Sequence, residues 1–231
     1  AAPNHPETLY FEAQLAFEAK DYKTVREITD RVLKVLPNNV PVLELAGAAE
    51  YRLKNFLQAE ALLGRALKQA PGLVLSRQLL AQTYLRTGQP GKSIEALQPL
   101  LDSKSPDGTT LALAGDAWLQ LGEAKKSEAA FQAAAKASPD DAKVRTSVAM
   151  AQIARGNGTA AVAELESIAA GDKGTRADLA LISARLRQGD TTGALKAIDG
   201  LAAKTPDSPV PHNLRGRVLL DKRDIPAATK S

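Results

Sequence analysis

The chain contains no cysteine, which excludes disulfides, thiolate metal sites and a cysteine nucleophile. Aromatic residues amount to only 4%, with a single tryptophan, Trp118, and a single methionine, Met150. Its two histidines, His5 and His212, lie far apart, and neither forms an i, i+4 pair with a second ligand, so the sequence offers no histidine metal site. No apolar run approaches the roughly 20 residues that a membrane-spanning helix requires. A large surplus of one charge is also missing: 30 Lys and Arg against 26 Asp and Glu leave a net charge of +4. The basic residues are spread along the chain beside acidic ones, as on solvated helix faces. With no basic stripe and few aromatics to stack bases, nucleic acid is not expected as a partner. The lack of cysteine suits cytosol and periplasm alike.

Hydrophobic residues make up 44% of the chain, and much of that share is Ala and Leu, both of which favour helix. Stepping through the chain by about 34 residues reveals four superimposed series. The first runs Lys20, Lys54, Gly88, Gly122, Gly156, Gly189 and Arg223. The second runs Val25, Ala59, Ser93, Ser127, Ala161, Ala194 and Ala228. The third runs Ala13, Gly47, Ala81, Gly115, Ala149, Ile182 and Gly216. A fourth marks repeat ends at Pro37, Pro71, Pro139 and Pro206, with Ser105-Pro106 one residue late and Lys173 as a departure.

Each series has a physical cause. Small residues in the second and third let two helices of a hairpin cross closely, so Ile182 predicts looser packing in its repeat. The first series ends a helix, where glycine takes the left-handed conformation that Lys20, Lys54 and Arg223 adopt less comfortably. The prolines end the second helix, and the Asn or Asp after Pro37, Pro139 and Pro206 is expected to cap the next. Between these marks the apolar residues keep helical spacing, as in Leu111, Ala114, Gly115 and Trp118, and no segment alternates like a strand. The pattern predicts helix pairs beginning with 8–20 and 22–36, and a last helix over 209–222.

This pattern resembles the tetratricopeptide repeat (TPR), and Leu111, Gly115, Trp118, Gly122, Ser127, Phe131, Ala134 and Pro139 carry it most fully. The resemblance implies an all-α, right-handed α-solenoid of helix-turn-helix repeats. They fall at about 6–39, 40–73, 74–107, 108–141, 142–174 and 175–208, with a truncated copy at 209–231 and an N-terminal tail at 1–5. The pentatricopeptide repeat has a similar period, but the Gly and Pro marks and the lack of a repeating base-reading pair argue against it. The chain stops in mid-repeat, since 224–231 reads as the start of a second helix. Solenoids ordinarily close with a capping helix, so a longer array is expected.

No catalytic arrangement stands out. Gly156-Asn157-Gly158 suggests a phosphate loop, but no strand precedes it and it falls where the repeat turns. Asn157-Gly158-Thr159 matches a glycosylation acceptor, a short pattern common by chance. Asp140-Asp141 reads as a helix cap after Pro139. His212, at a helix start, reads as solvated. The expectation is therefore a protein with no enzymatic activity and no cofactor.

In the TPR family the first helix of each pair lines the concave surface. Carried onto this chain, that face comprises Tyr10, Gln14, Phe17, Tyr51, Arg52, Gln78, Gln82, Arg86, Asp116, Gln120, Met150, Arg187, Asn213 and Arg217. Long polar side chains suit the backbone of an extended peptide, and Tyr10, Phe17 and Tyr51 suit apolar anchors. A protein or peptide partner is expected. The Lys, Asn and Arg cluster with which some TPR proteins grip a terminal carboxylate is not reproduced: Leu75 and Leu79 stand where basic residues would be needed, which argues against a chaperone-tail adaptor.

Residues 105–157 and 176–224 are also similar to the large TPR lipoproteins of the bacterial exosortase, or PEP-CTERM, sorting and exopolysaccharide system. That resemblance implies a scaffold in the periplasm or anchored to the envelope by an N-terminal lipid absent from this chain. The chain begins Ala1-Ala2-Pro3 without an initiator methionine, consistent with removal of a leading segment. The alternatives are a groove-type receptor or cochaperone for an extended client, and a cytoplasmic location. Oligomeric state is not indicated.

Overall fold

The computed structural model describes residues 5–221. Among these are thirteen α-helices and no strand: α1 Pro6–Glu18, α2 Tyr22–Val35, α3 Val40–Arg52, α4 Phe56–Gln69, α5 Val74–Arg86, α6 Pro90–Leu101, α7 Gly108–Gln120, α8 Ala124–Ala137, α9 Ala142–Ala154, α10 Gly158–Gly171, α11 Arg176–Arg187, α12 Thr191–Lys204 and α13 Val210–Asp221. The fold is all-α and built of TPR-type repeats, each a first and a second helix. α1 starts two residues before its expected boundary because Pro6 occupies the first turn, where its missing N–H costs nothing. The expected second helix of the last repeat, with Arg223 and Ala228, lies outside the described residues.

One turn joins the two helices of every described hairpin. At Lys20, Lys54, Gly88, Gly122, Gly156 and Gly189 the backbone φ is positive, between 62° and 91°. Two hydrogen bonds then close the first helix. In the first repeat, Asp21 N–H donates to the Ala16 carbonyl at 2.9 Å and Lys20 N–H to that of Phe17 at 3.0 Å. The same pair recurs in each repeat, as Asn55 to Glu50 and Lys54 to Tyr51, or Asp190 to Arg185 and Gly189 to Leu186. This is the Schellman closure. The residue after the left-handed one is also the N-cap of the second helix, which makes the turn so short.

Caps start the first helices as well, one residue later than expected after Pro37 and Pro139, and directly after the proline at Pro106. Asn39 accepts from Val42 N–H at 3.2 Å, Asp107 from Thr110 N–H at 3.0 Å and Asp141 from Val144 N–H at 3.1 Å. Asn38 and Asp140, directly after their prolines, are spent on the turn. Gly156-Asn157-Gly158 is the predicted inter-helix turn, with Asn157 at the N-cap of α10.

The crossing of the two helices is tight where the third series is small. A methyl group built on Gly47 would lie 2.7 Å from Leu63 Cγ. Ala13, Ala81 and Ala149 are buried at equivalent positions. Ile182 is absorbed rather than loosened: it is buried with Ile198, Leu201 and Val218 in one apolar cluster.

The chain divides into two compact units, Ala1–Ala130 and Phe131–Ser231, the division falling inside α8. In the first unit, α1, α3, α5 and α7 touch in succession, so the first helices line one inner face. In the second, α9 touches α11 in the same way. The cores are small and serial. Leu9, Ala13, Val25, Ile28 and Val32 form one cluster, and Ala161, Val162, Leu165, Ile168 and Leu181 another.

Candidate partner-binding surface

A side chain on a first helix has three fates here. It packs against its own hairpin, packs under the preceding repeat, or faces out on the inner side. The third and tenth residues of each repeat after the first take the second fate. Val42 and Ala49, Ser76 and Thr83, Val144 and Ala151 are all buried. The predicted surface residues sit at the fifth, ninth, twelfth and thirteenth positions, one helical stripe.

In the first unit most of them are accessible. Arg52, Arg86 and Gln120 are exposed, and Tyr10, Gln14, Phe17, Tyr51, Gln82 and Asp116 are half-buried. Gln14 Nε2 donates to the Tyr10 hydroxyl at 3.2 Å. Phe17 meets Tyr22 edge-on at 5.2 Å, and Tyr51 meets Phe56 likewise at 5.8 Å. These rings are therefore pinned by the second helix and present a fixed edge.

Gln78 is a correction. It is 7% exposed, and its Nε2 donates to both Asp107 carboxylate oxygens at 3.1 Å and to Thr110 Oγ1 at 2.9 Å. It ties α5 to the N-terminus of α7 and has no donor left for a partner. Leu75, by contrast, is 76% exposed on α5 and was not among the predicted contacts.

In the second unit Met150 is 47% exposed, and Arg187, Asn213 and Arg217 are exposed too. Met150 and Ile153 of α9 share a narrow cleft with Ala180, Ser183, Ala184 and Arg187 of α11. Leu179 and Leu186, one turn either side of Ser183, are 42% and 40% exposed. Sequence reading missed both because an apolar residue at helical spacing is ordinarily core. Stepping forward by three repeats from Gln78 and Leu85 would have placed them on the inner stripe.

The ionised groups that are buried serve the stack. Glu50, 4% exposed, accepts from Arg26 Nε at 2.5 Å and Nη2 at 3.1 Å, and from Asn55 Nδ2 at 2.7 Å. The Glu50 hydrogen bond raises the Arg26 pKa above its ordinary value. Asp178, also buried, receives Lys204 Nζ at 2.8 Å, and that ammonium donates to the Ala169 carbonyl as well. Arg185 binds Glu166 and Asp190, which hold its pKa up. No cluster of three or more His, Asp or Glu able to hold a metal occurs among the described residues. His5 and His212 are exposed, and no described helix is long and apolar enough to cross a membrane. An open cleft of about 660 Å³ beside α1 is lined by His5, Glu7, Tyr10, Phe11, Leu36 and Asn39, with no nucleophile–base arrangement.

The family model of the tetratricopeptide repeat matches residues 79–142 and 148–209. Among solved structures, a thermophilic TPR protein of Thermus thermophilus is 19% identical with a TM-score of 0.72, over 78% of this chain and 99% of that one. A tetratricopeptide repeat protein of Parabacteroides merdae is 16% identical with a TM-score of 0.66, over 96% and 89%. MamA of Desulfovibrio magneticus is 15% identical with a TM-score of 0.60, over 71% and 92%. No curated protein matches the chain.

Proposed function

This chain belongs to the tetratricopeptide-repeat family, and from that premise we propose that it is a non-catalytic scaffold that holds protein partners on the inner faces of its two units. One observation carries the reading. Along the inner stripe, side chains with binding chemistry are left exposed, Arg52, Arg86 and Gln120 in one unit and Met150, Arg187 and Arg217 in the other. The buried Arg26–Glu50 and Lys204–Asp178 pairs are consumed in joining helices and are not available to a ligand. Capture from the native cell with Arg52→Ala plus Arg86→Ala, and separately Arg187→Ala plus Arg217→Ala, is expected to lose bound protein. Unchanged capture by both double variants would show that the outer helices carry the docking.

The finer setting is a bacterial envelope assembly for exopolysaccharide export or PEP-CTERM sorting. Its support is the resemblance of residues 105–157 and 176–224 to the TPR lipoproteins of that system. The captured set should then contain envelope components of it. A set made up of cytoplasmic proteins alone would sink this part of the reading.

A further inference from the structure

The two inner faces differ in charge chemistry. Residues 1–130 carry fifteen basic and fifteen acidic side chains, whereas residues 131–231 carry fifteen basic and eleven acidic ones. The net positive charge of the chain therefore lies wholly in the second unit. Its described acids are concentrated on second helices and turns, and four of them are spent on neighbours. Glu164 takes Arg145, Glu166 and Asp190 take Arg185, and Asp199 takes Arg215.

The inner stripe of α9 and α11 has basic residues and no acid. Lys143 and Arg187 are exposed and form no ion pair with a described residue. Arg176 donates to the Ser147 hydroxyl at 2.7 Å, a neutral partner that leaves its charge uncompensated. Asp178, the one acid of these two helices, is buried and held by Lys204. Between the cations stand exposed aliphatic side chains, Met150, Leu179 and Leu186. The first unit lacks this separation, since Glu7, Glu18, Glu44 and Asp116 fall on its inner stripe.

We infer that the inner face of the second unit binds an acidic protein segment studded with aliphatic side chains. This deepens the scaffold reading and rests on it. Isolated cations between apolar side chains complement carboxylates that alternate with Leu, Ile or Met. A nucleic acid would find the cations but no platform: the one aromatic residue of 131–231 is Phe131, which is buried.

The test uses the full 231-residue chain and fluorescence anisotropy with four labelled probes: a Glu/Leu-alternating peptide, its Lys/Leu counterpart, a Glu/Ser counterpart and polyuridylate. The Glu/Leu peptide is expected to bind at least about tenfold more tightly than the others, and less tightly as salt is raised. Lys143→Glu plus Arg187→Glu should weaken it about tenfold or more, and so should Met150→Ser plus Leu186→Ser. Lys23→Glu plus Lys68→Glu, exposed on the second helices α2 and α4, should leave it unchanged. All these residues are exposed or partly so, and circular dichroism verifies that each variant stays folded. Equal binding of the Lys/Leu peptide or polyuridylate, dependence on Lys23 and Lys68, or no binding of the Glu/Leu peptide would overturn the inference. If it fails while native capture still depends on inner-face residues, the scaffold reading stands and only the partner chemistry is wrong.

Discussion

Two lysines occupy backbone positions that glycine takes in the later repeats. Lys20 and Lys54 have φ of 62° and 64°, the left-handed region where a side chain costs about 1–2 kcal/mol. Both side chains point to solvent, so nothing in the packing repays that strain. Lys54→Gly should raise stability by about 0.5–1 kcal/mol, seen as a higher urea midpoint, whereas Lys54→Ala should leave it nearly unchanged. A fall in midpoint with glycine would mean that the lysine makes a compensating contact. Helical glycines split the other way. A side chain at Gly47 meets Leu63 at once, so Gly47→Leu should cost about 1–3 kcal/mol through overpacking. Gly64, inside α4, has open space around its Cβ position, so Gly64→Ala should stabilise by about 0.5–1 kcal/mol. Melting both variants side by side separates steric from conformational effects.

Between elements, polar ties join each repeat to the next. Arg26 on α2 reaches the buried Glu50 of α3, and Asn55 holds the same carboxylate from the following turn. Removing the arginine leaves a buried acceptor short of donors, so Arg26→Met should cost about 1–3 kcal/mol, measured by denaturant unfolding. A second tie gives a pH signature. Tyr84 of α5 donates to Glu60 of α4 at 3.2 Å, with Glu95 nearby and the Lys92 ammonium 5.5 Å from its ring. Burial first, and then the Glu60 charge, raises the phenol above its ordinary value of 10.0. The folded state favours the neutral phenol, so this contribution is intact below pH 10 and is lost as pH climbs through the raised value. Tyr84→Phe should remove that alkaline loss from a plot of melting midpoint against pH; an unchanged plot would exclude the assignment. These ties also mark what sequence reading reaches. The hairpin turns were legible because a helix closure leaves one left-handed residue at a fixed step. Gln78 was misplaced because its partners Asp107 and Thr110 stand at the N-terminus of the next first helix, and spacing along one helix says nothing of them. Leu179 and Leu186 were missed because periodicity cannot tell an apolar side chain covered by a neighbour from one left facing out.

Across the molecule, the same register that repeats the fold exposes where it is uneven. The tenth position is buried in each later first helix, at Ala49, Thr83, Ala117, Ala151, Ala184 and Val218. In α1 its occupant, Leu15, is 67% exposed, and Phe11 one turn earlier is 63% exposed. Covering each such side chain is worth about 1.5–3 kcal/mol, so α1 lacks a contribution that α3 and α5 receive from the helix packed beneath them. A repeat array gains its stability from such neighbour interfaces, so opening should be easiest where one is missing. In this chain, native-state hydrogen exchange should show α1 amides opening with a free energy about 1–3 kcal/mol below those of α3 and α5. Substituting Phe11→Ser plus Leu15→Ser should scarcely change the denaturant midpoint, whereas Leu43→Ala in α3, fully buried, should lower it by about 2–5 kcal/mol equivalent. Equal protection of α1 and α3 would mean that local helix propensity and the α1–α2 hairpin, rather than stacking between repeats, set the stability of the first unit.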